Sequence, residues 1–66
     1  MNKAEWVRTY LGNPNEWGVD RDGVIYDDMR DWSERIVGYV SCKDGIATIR
    51  WRVSGTVSEV PAWSDQ

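Results

Sequence analysis

The sequence predicts an α+β domain: an N-terminal helix packed on a bent antiparallel sheet of about four to five strands, or in its most closed form a small open barrel. Three observations predict it. A single helical stripe opens the chain and is cut off by Gly12-Asn13-Pro14. Two Asp-Gly turns recur downstream in the same local context. Five tryptophans, with no phenylalanine and no histidine, are spread through 66 residues, about one to each segment. A tryptophan buries roughly 200 Å² of mostly apolar surface, so these rings supply core area that a chain of this length otherwise lacks.

The helix comes first. Asn2 is placed to cap it and Glu5 follows three residues later, a capping box with Asn in the Ser/Thr position. Trp6, Val7, Tyr10 and Leu11 fall on one side at helical spacing, and Gly12 is the expected stop. Strands follow near 16–20, 23–28, 33–42, 45–54 and 56–60. Arg21-Asp22-Gly23-Val24-Ile25 and Lys43-Asp44-Gly45-Ile46-Ala47 repeat one pattern of basic, Asp, Gly and then apolar residues. Glycine at the third loop position suits a three-residue hairpin whose last residue is left-handed. Ser54-Gly55 marks a third turn. Met29, Trp32 and Ile36 also fit a short helical stripe, which competes with strand over 29–35. Pro61 ends the last strand, so the domain spans 1–60 with a tail over 61–66.

A Lys43-Asp44-Gly45 loop sets Cys42 opposite Ile46, Tyr39 opposite Ile49 and Val37 opposite Trp51. Alternation then gives the helix a face of Val37, Tyr39, Ser41, Ala47, Ile49, Trp51 and Val53. The reverse face carries Ile36, Gly38, Val40, Cys42, Ile46, Thr48, Arg50 and Arg52. One short helix covers one face only. The second needs the first hairpin curling over it, the tail, a second copy or a partner.

Composition is that of a soluble single domain, 41% hydrophobic and 29% charged. The first ten residues carry Lys3, Glu5 and Arg8 and no apolar run, so neither a signal peptide nor a membrane span is expected. Cys42 is alone, which excludes an internal disulfide and fits a reducing, cytoplasmic compartment. It is expected to be a buried, inert thiol. Residues 20–31 hold Asp20, Asp22, Asp27, Asp28 and Asp31 against Arg21 and Arg30, so this stretch carries the entire net charge of −3. That balance disfavours a duplex-DNA binder.

Chemistry is thin. Histidine, the usual general base near neutral pH, is absent, and no serine sits in a nucleophile motif. Asp20-Arg21-Asp22-Gly23 followed by Ile25 has the alternation of a calcium loop, but Gly18 and Met29 stand where the first aspartate and the closing glutamate belong. No enzyme activity, metal or cofactor is therefore expected. Five aspartates around a turn form an acidic rim suited to a basic surface, and Trp17 and Trp32 flank it as buried anchors. The expected function is a non-enzymatic interaction protein that binds a larger protein with a basic surface. Small acidic, aromatic-rich domains of this kind are typical of phage and mobile-element inhibitors, anti-restriction and anti-CRISPR proteins among them, which act in the host cytoplasm. Two alternatives stand beside it. One is an RNA or single-stranded DNA module using Arg50 and Arg52, supported by Arg35 and Lys43. It is weakened by Trp51 pointing into the core, and those arginines equally suit pairing with Glu34, Glu59 or a hairpin acid. The other is a structural homo-oligomer, a homodimer in its simplest form, that buries Ile36, Val40, Cys42 and Ile46.

Overall fold

A computed structural model describes residues 1–64, and Asp65 and Gln66, the end of the expected tail, lie outside the described residues. Helix α1 spans Lys3–Tyr10. The Asn2 side chain accepts from the Glu5 N–H at 2.9 Å, and the Glu5 carboxylate accepts from the Asn2 N–H at 3.3 Å, so the capping box forms as the sequence predicts. The helix ends as the Leu11 and Gly12 N–H groups both reach the Val7 carbonyl. Gly12 has a packing reason as well: a Cβ there would meet the Trp17 indole at 2.7 Å.

Five strands follow in a meander, β1 (Trp17–Val19), β2 (Val24–Asp27), β3 (Ile36–Lys43), β4 (Ile46–Trp51) and β5 (Val57–Pro61), paired antiparallel in sequence order. The sheet does not close into a barrel, and β1 and β5 remain its edges. It is bent. Helix α1 lies against β1, yet the Trp6 indole N–H donates at 2.7 Å to the Pro61 carbonyl of β5. Trp6 is 0% exposed and sits with Val7, Val19, Ile25, Val37, Val40, Ala47 and Ile49 in the core. Two more rings brace it, Tyr10 at 5.6 Å and Trp63 edge-on at 4.8 Å. Trp63 thus docks the chain end onto the helix, helped by the Ser64 N–H donating to the Met1 carbonyl. Residues 32–34 form a 3₁₀ turn, η1 (Trp32–Glu34), where an early start of β3 competes with helix in the sequence.

The central hairpin differs from its sequence-based register. The first hairpin has the expected three-residue loop, with Asp20 bonded across to Val24 and Gly23 at φ 83°. The second is tighter. Lys43 pairs with Ile46, leaving only Asp44 and Gly45 in the loop, both left-handed at φ 53° and 79°. That is the two-residue type I′ turn, whose twist matches the flanking strands. Moving Lys43 from loop to strand shifts the register by one residue and inverts β3 from Gly38 to Cys42. Gly38, Val40 and Cys42 therefore join Ala47, Ile49 and Trp51 beneath the helix, while Tyr39 and Ser41 turn outward. A bulge then returns Ile36 and Val37 to the faces expected from sequence. Ile25 pairs with Gly38 but Tyr26 pairs with Ile36, so Val37 is extra and both Val37 and Gly38 are buried. Arg52, Val53 and Ser54 form a turn rather than extending β4, and Val53 is exposed. Cys42, expected to be buried, is exposed at the strand end.

Candidate interaction surface

With the helix on one side, the other face of the sheet has no element over it among the described residues. Cross-strand pairing lays it out in rows: Gly18–Tyr26–Ile36, Val24–Tyr39–Arg50–Val57, Ser41–Thr48–Glu59 and Lys43–Ile46–Pro61. Ile36, Tyr39, Ile46 and Val57 are all exposed here. The Tyr26 ring lies across Gly18, where any Cβ would collide with it, so glycine lets this aromatic lie flat on the sheet. Trp32 stands at one corner, 84% exposed. A hollow of about 300 Å³ there is lined by Trp32, Tyr26, Val24, Ile36, Arg35 and Asp20. A second of about 400 Å³ holds Asp22, Tyr39, Ser41, Thr48 and Arg50.

The seven residues singled out from sequence do not form one site. Asp20, Asp22 and Trp32 border the open face, and Asp28 and Asp31 are exposed on the connection that leads to Trp32. Trp17 and Asp27 are paired across β1 and β2 on the opposite, helix-covered side. Trp17 packs edge-on against Trp51 at 6.3 Å, part of the domain's own packing. Asp27 is held by its own chain: Oδ1 accepts from the Met29 N–H and Oδ2 pairs with Arg30 Nε at 3.3 Å. Asp20 Oδ1 accepts from both the Asp22 and Val24 N–H groups at 2.9 Å, which fixes the first hairpin loop. Asp22, Asp28 and Asp31 make no side-chain hydrogen bond or ion pair among the described residues.

The arginines divide in the same way. Arg30–Asp27 is the one ion pair among the described residues, so neither Arg50 nor Arg52 is paired with a carboxylate. Arg52 donates instead to the Ile36 carbonyl at 3.2 Å, bracing the bulge. Arg35 lays its guanidinium over the Trp32 ring at 5.2 Å, which orients an otherwise free side chain. Its Nε is buried without a partner. Arg50 projects beside Tyr39, its cross-strand neighbour. The ring-beside-arginine pair that the sequence lacked at Trp51 is therefore present at Tyr39. Asp44-Gly45 between two apolar runs, the strongest short hairpin signal, was the clue to it.

Reactive groups are few. Cys42 is exposed as a residue, but partial desolvation of its thiol still pushes it above its ordinary value, and the nearby Lys3 charge partly opposes this. Among the described residues no three His, Cys, Asp or Glu side chains gather into a metal-binding group. No helix there is long and apolar enough to cross a membrane. No protein-family model, curated protein or solved structure matches this chain.

Proposed function

We infer that this chain is a small non-enzymatic interaction protein that docks its Trp32 corner onto a basic surface of a larger protein. One observation carries the reading: Trp6, Trp17, Trp51 and Trp63 all pack into or against the core, whereas Trp32 is 84% exposed. Leaving a large ring in water has no folding benefit, while tryptophan is among the side chains most often dominant at interfaces. Arg35 holds the ring in place, and Asp28 and Asp31, exposed on the connection that leads to it, offer free carboxylates for steering toward positive charge. A basic nucleic-acid groove of a host enzyme is the kind of target such a corner suits, which would make the chain an inhibitor of the phage or mobile-element type acting in the host cytoplasm.

The test compares wild type with a variant carrying Trp32→Ala, Asp28→Asn and Asp31→Asn. All three side chains are exposed, so the variant's melting temperature should fall by no more than a few degrees. A partner captured on immobilised wild type should lose about a hundredfold or more in affinity for the variant, and should bind wild type more weakly as salt rises. Unchanged affinity of every captured protein refutes the reading. A second reading has its own observation. Tyr39 and Arg50 adjoin on the open face, as in single-strand binders that stack bases beside a cation. Titration of labelled single-stranded RNA and DNA at low salt distinguishes the two.

A further inference from the structure

We propose that the middle of the open face, β3 to β5, is a self-association surface occupied by a second copy of this chain. This patch is three strands wide and three rows deep: Tyr39–Arg50–Val57, Ser41–Thr48–Glu59 and Lys43–Ile46–Pro61. Its apolar members Tyr39, Ile46, Val57 and Pro61 are all exposed. Its charges are unpaired within the chain yet balanced, with Lys43 and Arg50 against Glu59 and the adjoining Asp22. A nucleic acid needs a positive surplus and a basic surface needs a negative one. A neutral patch carrying both signs side by side is what a two-fold interface requires, because each sign meets its opposite on the same surface.

The rows determine how two copies fit. Arg50 and Glu59 are diagonal neighbours on adjacent strands, one on either side of the line from Lys43 through Thr48 to Val57. A two-fold axis along that line turns Arg50 onto Glu59 of the second copy and Glu59 onto its Arg50. The same rotation lays Tyr39 on Pro61 and Ile46 on Ser41 of the second copy. The strands then cross at about a right angle, the orthogonal mode of sheet packing. Lys43 meets its own copy at the rim, where its long stem can turn into solvent. With strands about 4.8 Å and rows about 6.8 Å apart, the patch covers on the order of 300 Å² in projection per copy, well below the roughly 800 Å² of a standard interface. The dimer is accordingly weak and reversible. Trp32, beyond Tyr39, stays outside it, so the dimer carries two free Trp32 corners while withdrawing Tyr39 and Arg50 from other ligands.

Sedimentation velocity at low salt, from about 10 µM to about 1 mM, covers the range expected for a contact of this area. Wild type should move toward twice the monomer mass. Arg50→Glu and Glu59→Arg should each weaken association by about tenfold or more, since each sets like charges face to face. Mixing the two variants in equal amounts should restore it. In the mixed dimer both contacts again join a carboxylate to a guanidinium: the two introduced side chains meet each other, and the unaltered Glu59 of one copy meets the unaltered Arg50 of the other. Such rescue is intermolecular and cannot come from repaired folding. A wild-type monomer throughout, or a mixture no better than its components, overturns the proposal. Neither result bears on the Trp32 corner, whose partner binding is read separately with the three-site variant, which leaves the patch and the adjoining Asp22 intact.

Discussion

Replacing Trp6 with phenylalanine should remove a large share of this domain's stability, and the size of the loss follows from what Trp6 touches. The ring is 0% exposed, bonded to Pro61 at 2.7 Å and packed between Tyr10 and Trp63. Phenylalanine leaves a void of about 40 Å³, worth about 1 kcal/mol, and forfeits about 1 kcal/mol of transfer energy for the missing atoms. Losing the indole donor costs about 1 kcal/mol more, moderated because the Pro61 carbonyl lies on an edge strand where water can reach it. The total is about 3 kcal/mol, out of about 3–10 kcal/mol for a chain of this length. The midpoint of thermal unfolding should fall by about 12–24 °C. Circular dichroism in the far ultraviolet follows the transition without depending on the ring being replaced. Trp32→Ala, measured alongside, should move the midpoint by only a few degrees, since that ring contacts little beyond Arg35. A Trp6→Phe midpoint within about 4 °C of wild type, or an equal loss on Trp32→Ala, would refute the division of the tryptophans into core and surface.

Three further outcomes are expected. Asn2→Ala removes the acceptor of the Glu5 N–H and should cost about 1 kcal/mol in urea unfolding. Gly45→Ala and Gly23→Ala both force alanine into a left-handed residue, at about 1 kcal/mol each. Gly45 faces open space, whereas a Cβ on Gly23 strikes the Val40 carbonyl, so Gly23→Ala should be the more damaging by at least about 2 kcal/mol. Equal losses would show that the first hairpin is not tucked against β3. The Cys42 thiol, exposed but raised by partial desolvation, should react with iodoacetamide more slowly at neutral pH than in the unfolded chain. The folded state holds this proton more tightly. The associated stability is therefore present below the unfolded thiol's pKa and is lost as pH climbs through the folded value. A labelling rate equal to that of the unfolded chain would contradict this.

The acidic rim shows how far composition alone reaches. Residues 20–31 are acidic in any fold, and counting charges finds them. Counting does not reveal that Asp20 is spent on the hairpin loop and Asp27 on Met29 and Arg30. Nor does flanking position separate Trp17 from Trp32. Trp17 lies in β1 facing the helix side, and Trp32 lies on a 3₁₀ turn with neighbours on one side only.

Local signals determined much of this protein from sequence alone. The capped helix, its apolar stripe, the Gly23 hairpin and the α+β class depend on interactions within a few residues, and each has a chemical signature at fixed spacing. The tertiary structure decided what alternation makes ambiguous. A two-residue and a three-residue loop differ only in whether Lys43 pairs, yet the choice inverts β3 from Gly38 to Cys42 and brings Tyr39 out beside Arg50. The Val37 bulge then re-phases that strand against β2, a shift set by the core it must fill. Which of five identical rings is left in water was settled in the same way, because burial is a property of the assembled layers and not of the residue.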